Sequence, residues 1–127
     1  MSMPQRIQLR RSAGWRKPEG AISVTRPGRW GNPFKVVCAG TEPGLFSRRR
    51  ERVWTVAGPG TFFQGTGTHD WAAAYAVRLY RRWLLGSMKR VEDLVPLLRG
   101  HDLCCWCPLD APCHADVLLE LANQKET

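Results

Sequence analysis

Four of the five cysteines, Cys104, Cys105, Cys107 and Cys113, fall within ten residues, and His114 follows the last of them. Thiolate and imidazole are preferred donors for tetrahedral zinc, so Cys105, Cys107, Cys113 and His114 are candidate metal ligands. Their spacing, Cys-x-Cys-x5-Cys-His, matches no standard zinc-finger pattern. A metal-free chemistry is open to the same residues. Cys113 at a helix start would sit among unpaired backbone amides, which favour the thiolate, and His114 beside it could act as base or acid. On that reading Cys113 and His114 are catalytic, working on a nucleotide-like substrate. A third alternative is inert packing, since free cysteine also serves as a small buried apolar residue. Cys38 and Cys104 are assigned to that role. Asp116, one turn into the helix, is placed to support His114. A catalytic zinc would need an open position, which three ligands with His114 free would supply; four protein ligands would make it structural.

A second group lies upstream. Arg26 and Arg29 flank a turn-rich segment that contains Trp30 and Asn32. A guanidinium, an indole and an amide on one ordered loop can hold a phosphate, stack a base and read its edge, so these four residues are the candidate substrate contacts. The alternative is a structural corner with Trp30 and Phe34 buried and Asn32 turned onto the backbone beside Pro33. The overall charge agrees with an anionic ligand: 19 Lys and Arg stand against 11 acids, a net +8. A nucleotide or nucleic acid is the first partner to expect from such a balance. A non-enzymatic module, binding nucleic acid or a host protein, is the competing class, with the Cys/His cluster purely structural.

These residues need elements to position them. At 127 residues, with 43% apolar and 24% charged side chains, the chain has the make-up of one globular domain. Alternation predicts strands at Ala21–Thr25, Phe34–Cys38 and Val53–Val56. A helix is expected over His69–Leu85, capped by Thr68, with Tyr75, Leu79 and Trp83 on its apolar stripe beside Ala72, Ala76 and Leu84. Arg78, Arg81 and Arg82 fall on the opposite, solvated side. Val91–Arg99 reads as a short helix disturbed by Pro96, ending at Gly100. Leu103–Cys107 reads as a buried strand, which would place Cys105 and Cys107 on one face and Cys104 and Trp106 on the other. Pro112–Asn123 is a final helix. The expected fold is a small α/β domain over 1–127, a short sheet with about three helices and a C-terminal strand–turn–helix carrying the Cys/His motif. The basic segment 1–19 is either a mobile arm or a lead-in packed through Trp15.

The odd, clustered cysteines argue against a disulfide framework, and the opening residues show no apolar signal core. No apolar run approaches the ~20 residues of a membrane span. A cytoplasmic protein with no membrane partner is expected.

Several of these segments resemble one known family. They are Gly14-Trp15-Arg16, Arg26-Pro27, Trp30-Gly31-Asn32-Pro33-Phe34, Tyr80-Arg81-Arg82-Trp83-Leu84, Leu98-Arg99-Gly100, Cys105-Trp106-Cys107 and Cys113-His114-Ala115-Asp116-Val117-Leu118. Together they resemble the domain of unknown function 4326 family over nearly the whole chain. The resemblance implies a bacteriophage or actinobacterial source, hence a host-cell cytoplasm for a phage-encoded protein. It also implies that Cys104 is peripheral, because the family motif is Cys-Trp-Cys. The stretch 38–68 departs from the family's shorter members and reads as a loop insertion, so no family role passes to Arg48, Arg49 or Arg50. No activity comes with the family.

Overall fold

Three short strands run parallel and form the sheet from which the cysteine cluster hangs. The computed structural model describes residues 4–26, 28–44, 49–60 and 65–124; Pro27, Arg48 and 61–64 lie outside them. Strand β1 is Arg6–Gln8, β2 is Ile22–Ser23 and β5 is Leu103–Cys105, in the spatial order β1-β5-β2. All three residues of β5 are buried, as suits a central parallel strand covered on both faces. Cys104 pairs with Ile7 on one side and Ser23 on the other. The pairing runs on past the strand ends, Leu9 N–H donating to Cys105 O at 2.8 Å and Val24 N–H to Cys104 O at 3.0 Å.

The basic lead-in is therefore anchored. Arg6-Ile7-Gln8 supplies a sheet strand, and the half-buried Trp15 lies in the connection to β2. Where the sequence predicts short strands at Phe34–Cys38 and Val53–Val56 with loop between them, the structure has longer strands, β3 (Lys35–Pro43) and β4 (Arg50–Ala57), paired antiparallel and bulged between Cys38 and Gly40. Much of 38–68 is thus paired strand, because the alternating residues of each arm satisfy the other's backbone.

Helix α1 spans His69–Leu85, with Thr68 Oγ1 accepting from Trp71 N–H at 3.1 Å as its cap. Its buried residues are Ala72, Ala76, Tyr80 and Leu84. Of the expected stripe, Ala72, Ala76 and Leu84 are thus buried, while Tyr75, Leu79 and Trp83 are half-buried. Two alanines let the helix backbone come close, and Tyr80 then fills the space, donating its hydroxyl to Trp30 O at 2.9 Å. The expected disturbance at Pro96 takes the form of a π-helical turn, Arg90–Leu94, followed by a 3₁₀ turn, Val95–Leu98. Helix α2 is His114–Ala122, capped by Cys113, so Pro112 falls just outside the helix instead of at its first position. The fold is a small α/β domain, and β5, the turn after it and α2 carry the Cys/His motif.

Candidate metal centre

Each cysteine of the cluster is held by a different element. Cys105 is the last residue of β5, Cys107 follows two residues after the chain leaves the sheet, and Cys113 caps α2. Their three sulfurs lie within 4.8 Å of one another, and the Cys105 and Cys113 sulfurs are 3.2 Å apart. Thiolates ~2.3 Å from a tetrahedral zinc stand about 3.8 Å from each other, so the arrangement brackets that spacing. The strand ends before the alternation reaches Trp106, which points to solvent and is 48% exposed. It does not share a buried face with Cys104. The Arg11 guanidinium lies over its ring, 5.1 Å from the centroid.

Close packing drives the Cys105 and Cys107 thiols in opposite directions. Cys107 is pulled down to about 3 because the Cys105 and Cys113 thiols hydrogen-bond its sulfur, with Arg6 and Arg26 adding positive charge. Cys105 is pushed up by those same bonds to Cys107 and Cys113, and further by burial. Cys104 is buried outside the cluster, its thiol pushed up by desolvation. Cys38, expected to be buried, is instead exposed on β3, with its Sγ donating to Gly40 O at 3.5 Å.

His114 is 8% exposed and rigidly set. Its Nε2 lies 2.6 Å from Val24 O. A carbonyl can only accept, so Nε2 is the ring's donor and Nδ1 is the atom left to serve as a ligand. Nδ1 lies 3.8 Å from Cys113 Sγ, while the ring packs edge-on against Tyr80, 5.2 Å between centroids. Nδ1 stands beside the three-sulfur set, outside the group whose donors are mutually within 4.8 Å. Asp116 does not support His114 as expected. Val24 O takes that part, and Asp116 instead pairs with Arg6 at 3.2 Å.

Arg6 is the functional residue that sequence reasoning missed. Its side chain is 8% exposed and turns into the loop between Cys107 and Cys113. It donates to Ala111 O at 3.0 Å, Pro108 O at 3.2 Å and Leu109 O at 2.5 Å. One fork thus fixes three carbonyls of the turn that brings Cys113 back to Cys107. In the sequence Arg6 is one more charge in a basic segment; only the alternation of Ile7 and Leu9 around Gln8 hints at a strand there.

The upstream loop divides. Arg26 is exposed and close enough to Cys107 to favour its thiolate. Arg29 is exposed and stacks on Trp30, 4.9 Å from the ring centroid. Trp30 is half-buried, and its Nε1 has no hydrogen-bond partner among the described residues. Asn32 is 4% exposed, its Oδ1 accepting from Phe34 N–H at 2.9 Å and its Nδ2 donating to Ala76 O at 3.2 Å. That burial corrects the expectation of a base-reading amide. Gly31 is required at the same corner, since a Cβ there would stand 2.9 Å from Arg26 Cα.

Access bears on the nucleophile reading as well. Cys113 is 1% exposed, so a substrate carbon cannot reach its sulfur without the loop opening. What the arrangement offers is a buried, sulfur-rich donor set with basic neighbours, which fits a thiophilic cation.

No curated protein and no solved structure matches the chain. A family model does, described as a domain of unknown function, over residues 7–124. That span takes in all of β1 but its first residue at one end and the whole of α2 at the other, and by it the chain belongs to the domain of unknown function 4326 family.

Proposed function

We propose that this domain holds a zinc ion on Cys105, Cys107, Cys113 and Nδ1 of His114, as a closed centre stapling the C-terminal strand–turn–helix, and that the folded domain binds a nucleotide or nucleic acid. The convergence of three sulfurs at the end of the central strand carries the first half. Thiolates gathered this closely repel one another, and a divalent cation removes that repulsion while deprotonating all three. The imidazole supports the fourth ligand, because a metal-bound histidine nearly always donates its other N–H to a carbonyl or carboxylate, and Val24 O is in that place. Arg6 and Arg26 would balance the negative charge that three thiolates leave on a zinc centre. The net +8, the exposed Arg26 and Arg29, and the exposed Trp106 indole beneath Arg11 support the second half.

Elemental analysis of untagged protein purified without added metal tests the centre. Stoichiometric zinc is expected, lost in Cys105→Ser and in Cys113→Ser; well-folded protein without zinc overturns the assignment. The position of Nδ1 outside the three-sulfur set favours a second reading, with water or a substrate atom in the fourth position. His114→Ala separates the two. A closed centre loses at least about tenfold in zinc affinity, and an open one keeps it. Salt-dependent retardation of DNA or RNA tests the partner, and capture of a host protein with no nucleic-acid shift would assign the basic surface elsewhere.

A further inference from the structure

The solvent side of α1 carries a feature that the metal centre does not use. A cleft of about 120 Å³ lined by Tyr75, Arg78, Leu79 and Arg82 runs along it and continues into a shallow, open depression lined by Arg78, Arg81, Arg82, Leu85 and Gly86. At 1.5 Å per residue the strip from Tyr75 to Gly86 is ~16 Å long. Arg81, which borders the depression, is tied to Glu120 of α2 by contacts of 2.7 and 3.2 Å. Arg78 and Arg82 are exposed, and among the described residues neither side chain makes a hydrogen bond, ion pair or ring contact. The one acid on α1 is Asp70, at its far end. The carbonyls of the last helical turn account for Arg82, but Arg78 lies two turns from that end and has no such complement.

Side chains at i and i+4 leave the helix with their Cβ atoms ~6 Å apart, so two arginines there can reach successive phosphates of an extended strand. Their forks suit phosphate oxygens, and the half-buried Tyr75 ring and Leu79 offer a flat apolar wall beside them. An acidic peptide would satisfy the charge but would leave the aromatic wall without a purpose. A base can reach Tyr75 only when unpaired. We propose that this strip is a phosphate-tracking groove for single-stranded nucleic acid, an inference that rests on the nucleic-acid reading above and gives it a surface remote in sequence from the zinc ligands.

The test is fluorescence-anisotropy titration of the zinc-loaded full chain with labelled single-stranded DNA and RNA at several salt concentrations. The Arg78→Gln/Arg82→Gln double variant is expected to bind at least about tenfold more weakly. Its log K against log salt should be shallower by about 1.4, from ~0.7 per phosphate contact on a single strand. Tyr75→Leu should weaken binding roughly fivefold or more with the salt slope unchanged, because stacking releases no counterions. Unchanged binding in Tyr75→Leu would overturn the single-strand assignment. Unchanged affinity in the double variant, with loss in Arg26→Gln/Arg29→Gln, overturns the groove while the nucleic-acid reading stands. Wild-type protein that retards neither DNA nor RNA overturns both. Polyglutamate binding lost in the double variant would then assign the strip to an acidic protein.

Discussion

At the scale of single residues, the ligands and the residue that places them were legible to very different degrees. Cys105, Cys107 and Cys113 announce themselves by type and spacing, because few other roles call for three thiols in nine positions. Arg6 gives no such sign. Its meaning depends on a partner loop about a hundred residues away, and no local pattern encodes that distance. The energetic consequence is large nonetheless. Arg6→Met would leave three loop carbonyls without their charged donor and Asp116 without its partner. A hydrogen bond to a charged group contributes about 1.5–3 kcal/mol, and water reaching the exposed Pro108 and Leu109 recovers part of the loss. About 3 kcal/mol of destabilisation is expected, which denaturant titration would show, together with weaker zinc binding. Arg6→Lys should recover little, since an ammonium cannot serve three carbonyls from one plane. A variant as stable as wild type would mean that the loop holds itself.

At the scale of elements, periodicity located α1 to the residue and most of its inward face, but not the residue at the centre of that face. Ala72, Ala76 and Leu84 of the expected stripe are buried and Tyr75, Leu79 and Trp83 pack at its margin, while Tyr80, outside the expected stripe, is wholly buried. Hydrophobicity alone ranks alanine low; close approach of a backbone ranks it high, and only the neighbouring elements decide between them. The Trp30–Phe34 corner is one such neighbour. Asn32 joins it to α1 by donating to Ala76 O, and it closes the corner on itself by accepting from Phe34 N–H. Asn32→Ala is therefore expected to act on stability and not on ligand affinity. It would leave the buried Phe34 N–H without an acceptor and Ala76 O, already bonded within the helix, without its second donor, at a cost of about 1–3 kcal/mol. Chemical denaturation should show that loss, while nucleic-acid affinity measured well below the unfolding transition should match wild type. Affinity lost at full stability would return Asn32 to the substrate contacts.

At the scale of the whole molecule, the sheet is too small to stand without help. β1, β2 and β5 contribute three, two and three residues, and they come from opposite ends of the chain. The loop closure that joins them is entropically costly and yields few ladder bonds in return. The proposed zinc acts on this weak point. It would tie the end of β5 to the cap of α2, and through the Val24–His114 bond to the exit from β2. The β3–β4 hairpin packs on α1 instead and contains none of the ligands. Such a division predicts unequal dependence on metal. Each tenfold increase in free zinc above the dissociation constant should add about 1.4 kcal/mol to the stability of whatever unit the ion closes. Under chelation, amides of β1, β5 and α2 should lose hydrogen-exchange protection first, while those of β3, β4 and α1 keep much of theirs. Uniform loss across both groups would mean that the ion holds the whole core as one cooperative unit. Full protection throughout would mean that it contributes nothing to the fold, which would leave chemistry as the reason for three clustered thiols at the end of a central strand.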